Sequence, residues 1–136
     1  MLHIPYGKER ITCSFEPDAI LTSRIDELRS DKSGSDLVRA AMDSPIASPR
    51  LCELAKGKAT ATIIISDHTR PVPSKLLIPP MLAAIRRGNP DAEITILIAT
   101  GCHRETSRQE LLDKFGPEIL EKETIIVHDC DDEENL

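Results

Sequence analysis

Three isoleucine-rich runs constrain this chain more than any other feature: Thr60 to Ser66, Glu93 to Ala99 and Thr124 to Val127. Each is short and nearly continuous in apolar or β-branched side chains, the pattern of strands buried on both faces of a parallel sheet. Parallel neighbours need a long crossover, and both intervals provide one. In the first, Leu77, Met81, Leu82 and Ile85 keep helical spacing up to a stop at Gly88-Asn89-Pro90. Pro79 and Pro80 place the start of that helix near Leu77 or Ile78, because proline is tolerated in a first turn. In the second, Ser107-Arg108-Gln109-Glu110 matches a capping box and Phe115-Gly116-Pro117 a helix stop. The order β-α-β-α-β predicts an α/β fold, a Rossmann-like parallel sheet flanked by helices.

Upstream the pattern is looser. His3-Ile4-Pro5 and Ile11 to Phe15 alternate around Tyr6-Gly7-Lys8 and predict a short amino-terminal β element of two strands and a turn. Helices are expected from Asp18 to Leu28, where Ala19, Ile20, Ile25 and Leu28 form a stripe behind Pro17, and from Asp36 to Met42. A third has Ser48 as N-cap, Pro49 at its first position, Leu51, Leu54 and Ala55 as its apolar side, and Gly57 past its end.

At 136 residues and 40% apolar, the chain has material for a single α/β domain with an ordinary core. A net charge of −6 argues against nucleic acid, which demands a basic face. No run is long and apolar enough for a membrane span, and Met1 to Pro5 lacks the character of a signal peptide, so the expected compartment is the cytoplasm. Cys13, Cys52, Cys102 and Cys130 are widely spaced and are expected to be free thiols.

Ligands of an open parallel sheet bind outside the carboxyl ends of its strands. Here those ends carry Ser66-Asp67-His68-Thr69-Arg70-Pro71, Thr100-Gly101-Cys102-His103-Arg104 and His128-Asp129-Cys130. Taken one loop at a time, the same residues serve as helix caps, loop pins and turns. His68, beside Asp67, is expected to point into solvent, and His128 reads as a hydrogen-bonded neighbour as readily as a ligand. Cys102, His103, His128 and Cys130 are donors that zinc or nickel accepts. Their spacing disfavours a closed metal site, since Cys102 and His103 are adjacent and no Cys-x-x-Cys or His-x-x-x-His occurs. No Gly-x-Gly-x-x-Gly or Walker-type loop follows a strand either.

The two central motifs, Asp67-His68-Thr69-Arg70-Pro71 and Thr100-Gly101-Cys102-His103-Arg104-Glu105-Thr106, resemble those of the amino-terminal domain of the nickel-dependent lactate racemase family. The spacing of Arg70 from His103 agrees, as do Tyr6-Gly7-Lys8, Pro45-Ile46, Ser48-Pro49-Arg50-Leu51 and His128-Asp129, so the resemblance covers nearly the whole chain. It implies an enzyme that interconverts stereoisomers of a 2-hydroxy acid by proton-coupled hydride transfer to a nickel-pincer mononucleotide. His103 would be the acid/base, as an imidazole suits proton exchange near neutrality. Arg70 would orient a carboxylate or stabilise negative charge, and Asp67 would fix Arg70 or His103 by hydrogen bonding. Thr69 and Gly101 would shape the cofactor pocket. The family's cofactor lysine, nickel-ligating histidine, second acid/base histidine and carboxyl-terminal domain are not in residues 1–136. The chain is therefore expected to be the amino-terminal part of a longer two-domain enzyme, inactive and without cofactor by itself.

Two other classes remain open. One is a non-catalytic module that holds phosphate or carboxylate on Arg70, Arg104 and backbone amides. The other is a metal-dependent hydrolase built on His103, His128 and the nearby thiols.

Overall fold

A computed structural model describes residues 1–21 and 23–134, in two compact units, Met1–Asp31 and Lys32 onward. The first unit is a hairpin, as its alternation predicts. Strand β1 (Leu2–Tyr6) pairs antiparallel with β2 (Glu9–Cys13), and Gly7 takes the positive φ that so tight a turn requires. The helix expected from Asp18 to Leu28 does not form as such. Only a 3-10 turn over Ile25–Leu28 is present, and Thr22 lies outside the described residues. The would-be apolar stripe explains why, since Ile20, Ile25 and Leu28 are all exposed and a short helix without a face to bury is marginal in water.

The second unit opens with α1 (Gly34–Asp43), which begins two residues ahead of expectation because the Ser33 hydroxyl accepts the Asp36 N–H. Helix α2 (Leu51–Leu54) is capped at Arg50, not Ser48, so Pro49 is not its first residue. The Glu53 carboxylate reaches back to the Arg50 N–H at 3.1 Å, whereas the Ser48 hydroxyl bonds the Pro49 carbonyl. Strands β3 (Thr60–Ser66), β4 (Glu93–Ala99) and β5 (Thr124–Val127) keep their predicted bounds and pair in parallel, in that order.

Helix α3 (Ser74–Gly88) joins β3 to β4 and starts earlier than expected, which puts Pro79 and Pro80 inside it. Neither has an N–H, so the carbonyls of Lys75 and Leu76 lose their intrahelical donors. Between β4 and β5 there are two helices, not one: α4 (Arg108–Phe115) and α5 (Pro117–Lys122). Gly116-Pro117 is both stop and start, with Gly116 at φ +85° and Pro117 at the first position of α5.

Period-two alternation divides the sheet. One face carries the rows Ile63–Ile96–Ile125 and Ile65–Ile98–Val127, covered by Ile78, Leu82 and Ile85 of α3, Phe115 of α4 and Ile119 of α5. The other carries Thr62–Thr95–Thr124 and Ile64–Leu97–Ile126, with Ile64 67% and Ile126 50% exposed. The expectation of burial on both faces is thus corrected for this unit. Threonine and isoleucine are both β-branched, so an open Thr/Ile face reads as a continuous strand. Helices α2 and α3 approach closely, since a Cβ on Gly88 would lie 2.1 Å from the Cys52 carbonyl oxygen. Ile96, with no exposed surface, sits in the central strand. Ile96→Ala is expected to cost about 2–5 kcal/mol, read as a lower denaturation midpoint. Among the described residues no helix is long and apolar enough to cross a membrane.

Candidate active site

Parallel pairing in register brings the carboxyl ends of β3, β4 and β5 side by side. The first residue beyond β3 is Asp67, only 2% exposed. A buried carboxylate needs partners for its lone pairs, and Asp67 has them. Its Oδ1 accepts the Thr69 backbone N–H at 3.1 Å and the Thr69 hydroxyl at 2.7 Å. Its Oδ2 lies 2.6 Å from His103 Nδ1, and its main-chain carbonyl accepts from Lys114 Nζ of α4 at 3.0 Å. The Thr69 hydroxyl, with help from His103, holds the Asp67 carboxyl at about 2 against burial, which pushes it up. Burial lowers the Lys114 ammonium.

Because Asp67 is ionised at neutral pH, it favours a proton on His103 Nδ1 and leaves Nε2 as the lone-pair nitrogen. The His103 side chain is half exposed, so that nitrogen belongs to a base open to a ligand. The turn presenting it is closed by the His103 N–H on the Thr100 carbonyl, 3.1 Å, and by Gly101 at φ +57°. A Cβ on Gly101 would meet nothing within 4 Å, so the backbone conformation is what calls for glycine here.

Arg70 lies on the same loop as Asp67, exposed, and its guanidinium has no hydrogen-bond or ion-pair partner among the described residues. Asp67 therefore fixes His103 and not Arg70. With Lys114, His68, Val72, Glu110 and Asp113, Arg70 lines a cavity of about 330 Å³. Arg104, the other cation of the anion-binding reading, is engaged. It forks onto Glu110 at 2.9 and 2.6 Å, and Glu110 also accepts the Ser107 N–H at 2.8 Å to complete the predicted capping box. Arg104 holds the Glu110 carboxyl well below the usual carboxylate range, and Glu110 raises Arg104 in return.

His68 does not point into solvent. Its side chain is 15% exposed, and Nδ1 lies 3.2 Å from the hydroxyl of Thr106, itself buried. His128 is hydrogen-bonded to Thr100. The Ser66 hydroxyl, at the end of β3, is buried without a partner among the described residues. The cysteines are free, and burial, followed by the neighbouring Asp131 and Cys102, raises the Cys130 thiol. The one group of three close ligand atoms among the described residues is Asp129, Cys130 and Asp131, which includes neither His103 nor His128.

Residues 6–136 match the lactate racemase N-terminal domain family. The chain belongs to that family. It is 42% identical to the lactate racemase of Thermoanaerobacterium thermosaccharolyticum and 38% identical to that of Lactiplantibacillus plantarum, in each case over 99% of its own length and 32% of the relative's. The structure of the lactate racemase apoprotein from T. thermosaccharolyticum superposes with a TM-score of 0.82 at 43% identity, over 98% of this chain and 31% of that one. The chain thus spans roughly a third of the length of these lactate racemases. As a lactate racemase N-terminal domain it has the parallel three-stranded sheet flanked by helices and the short antiparallel pair that the sequence predicts. Lys114 and Glu110 had no place in the sequence reading of the site, and Thr106 stood there only as the end of a motif. The capping box was legible, but nothing in it shows that Glu110 also holds Arg104 or that Lys114 reaches back to the residue after β3.

Proposed function

We propose that this domain is the proton-transfer and carboxylate-binding half of a 2-hydroxy-acid racemase, acting on lactate or a close analogue as part of the longer protein. The 2.6 Å contact of Asp67 with His103 Nδ1 carries the reading. It fixes one tautomer on a half-exposed imidazole, which is what a general base facing a ligand needs. In this reading His103 Nε2 takes the hydroxyl proton of the substrate and returns it in the reverse direction. Asp67 orients the ring and stabilises the imidazolium that forms. Arg70, with a planar fork and no partner among the described residues, holds the substrate carboxylate.

A nickel-pincer mononucleotide, when bound, would supply the hydride acceptor at Cα. The residues described here fit a place beside that group and do not fit as its holders. Thr69 donates its hydroxyl to Asp67, Gly101 is a turn residue, and the Asp129, Cys130 and Asp131 cluster contains neither site histidine. We therefore place nickel ligation and cofactor attachment in other parts of the full-length racemase.

The test is racemisation of a single lactate enantiomer by the full-length, cofactor-charged protein, followed by chiral chromatography. Arg70→Ala should raise KM about 10- to 100-fold, the value of one lost charge-assisted contact, and Arg70→Lys should restore only part of it. Unchanged KM and kcat would remove Arg70 from the site. Lactate binding that depends on Arg70 but a rate indifferent to His103 would favour the binding module.

A further inference from the structure

Thr100, the first residue beyond β4, is 3% exposed and sits between two histidines. Its carbonyl accepts the His103 N–H at 3.1 Å, which closes the turn carrying the acid/base ring. Its hydroxyl lies 2.6 Å from the His128 carbonyl and 3.2 Å from His128 Nδ1. His128 is in turn tied to β4 by its own N–H, which donates to the Ile98 carbonyl at 3.0 Å and so continues the β4–β5 ladder past Val127.

Counting protons settles which way these bonds run. A threonine hydroxyl has one hydrogen and two lone pairs. The carbonyls within reach are those of His128 at 2.6 Å and Gly101 at 3.4 Å, so the hydrogen goes to His128. The hydroxyl oxygen is then the acceptor for His128 Nδ1, which must carry a hydrogen. The imidazole and the main chain of His128 thus grip the same hydroxyl from both sides. This grip does not depend on the charge of His128, because Nδ1 keeps its hydrogen in the neutral tautomer and in the imidazolium alike.

We propose that Thr100 is a positioning residue for His103, and that His128 serves the site through Nδ1–H as the second half of the same clamp. One residue thereby pins the His103 turn to the end of β5, as Asp67 pins the ring to the end of β3. Held from both flanking strands, the imidazole has its Nε2 in a fixed place, and displacement of a reacting group by about 1 Å costs on the order of 100-fold in rate. The proposal rests on the reading of His103 as the proton carrier.

The experiment uses full-length, cofactor-charged racemase and two pairs of variants. Thr100→Val keeps the shape of the side chain and removes the hydroxyl, whereas Thr100→Ser keeps the hydroxyl. In His128→Asn the amide nitrogen replaces Nδ1, and in His128→Gln it replaces Nε2. We expect Thr100→Val and His128→Gln to lose at least about tenfold in kcat with KM within about twofold, and Thr100→Ser and His128→Asn to stay close to wild type. The pH profile of kcat should keep its shape in all four, because the clamp holds a base and does not tune it. An inactive but folded Thr100→Ser, or an unaffected Thr100→Val, would overturn the proposal. So would the reverse order of the His128 pair, which would assign the working atom to Nε2. His103→Ala in the same assay keeps the levels apart, since unchanged racemisation there sinks the reading of His103 and not merely the clamp.

Discussion

His103→Ala in the full-length, cofactor-charged protein is expected to lower kcat by about 10²- to 10⁴-fold, the usual value of a positioned general base. The loss should be equal in both directions of racemisation, because the imidazole that takes the hydroxyl proton one way returns it the other. KM should move little, since substrate binding is assigned to Arg70. Truncation also opens space at the end of the Asp67 carboxylate, so free imidazole added to the assay should restore part of the rate. A rate unaffected by the substitution would take His103 out of the mechanism.

Asp67→Asn should be nearly as damaging, although it changes neither shape nor volume. Asp67 receives two donors from Thr69 on Oδ1 and one from His103 on Oδ2. Asparagine has a single acceptor oxygen. If that oxygen stays with Thr69, the NH₂ group faces His103 Nδ1, which must then give up its hydrogen. The proton moves to Nε2, and the base becomes a donor where an acceptor is needed. If the amide turns over, its NH₂ meets the Thr69 N–H, and two donors face each other with no acceptor between them. Either way kcat is expected to fall by about two orders of magnitude or more, as for other buried carboxylates that set a histidine tautomer. The substitution also has an equilibrium signature. Asp67 titrates near 3.8 when unfolded and at about 2 in the native protein. Between those values the unfolded chain binds the extra proton, so stability rises with pH. The contribution is fully present above the higher value and is lost as the pH falls through the lower one. Acid denaturation of Asp67→Asn should therefore be shallower in that interval.

Much of this was legible because the relevant signals are local. The strand bounds follow from isoleucine runs that end abruptly in polar residues, and the cap of α4 from four consecutive residues. Asp67, Arg70 and His103 stand out because they follow two of those strands directly. What could not be read is whatever depends on pairing across the sheet. His103 and Thr69 share one carboxylate, yet only the fold shows that Arg70 is left out of the arrangement. Thr100 and His128 are 28 positions apart in sequence, and they meet because β4 and β5 are in register. His68 looked solvent-directed from its place in a polar loop, but Thr106 is brought to it by the next strand end. The failed helix after Pro17 has the same origin: periodicity describes a face and does not supply what covers it. The uncovered Thr/Ile side of the sheet went unread for a chemical reason, since β-branched residues favour strands whether or not they are buried.

The two prolines of α3 bear on how the site is held. The first turn of that helix grows directly out of the loop that carries Asp67 and Arg70, and it lacks two successive rungs of the helical ladder. Its grip is in side chains: Ser74 and Ile78 are buried, and Ile78 is one of the residues that cover the sheet. The loop is therefore moored to the core by packing at the point where the backbone of α3 ties least.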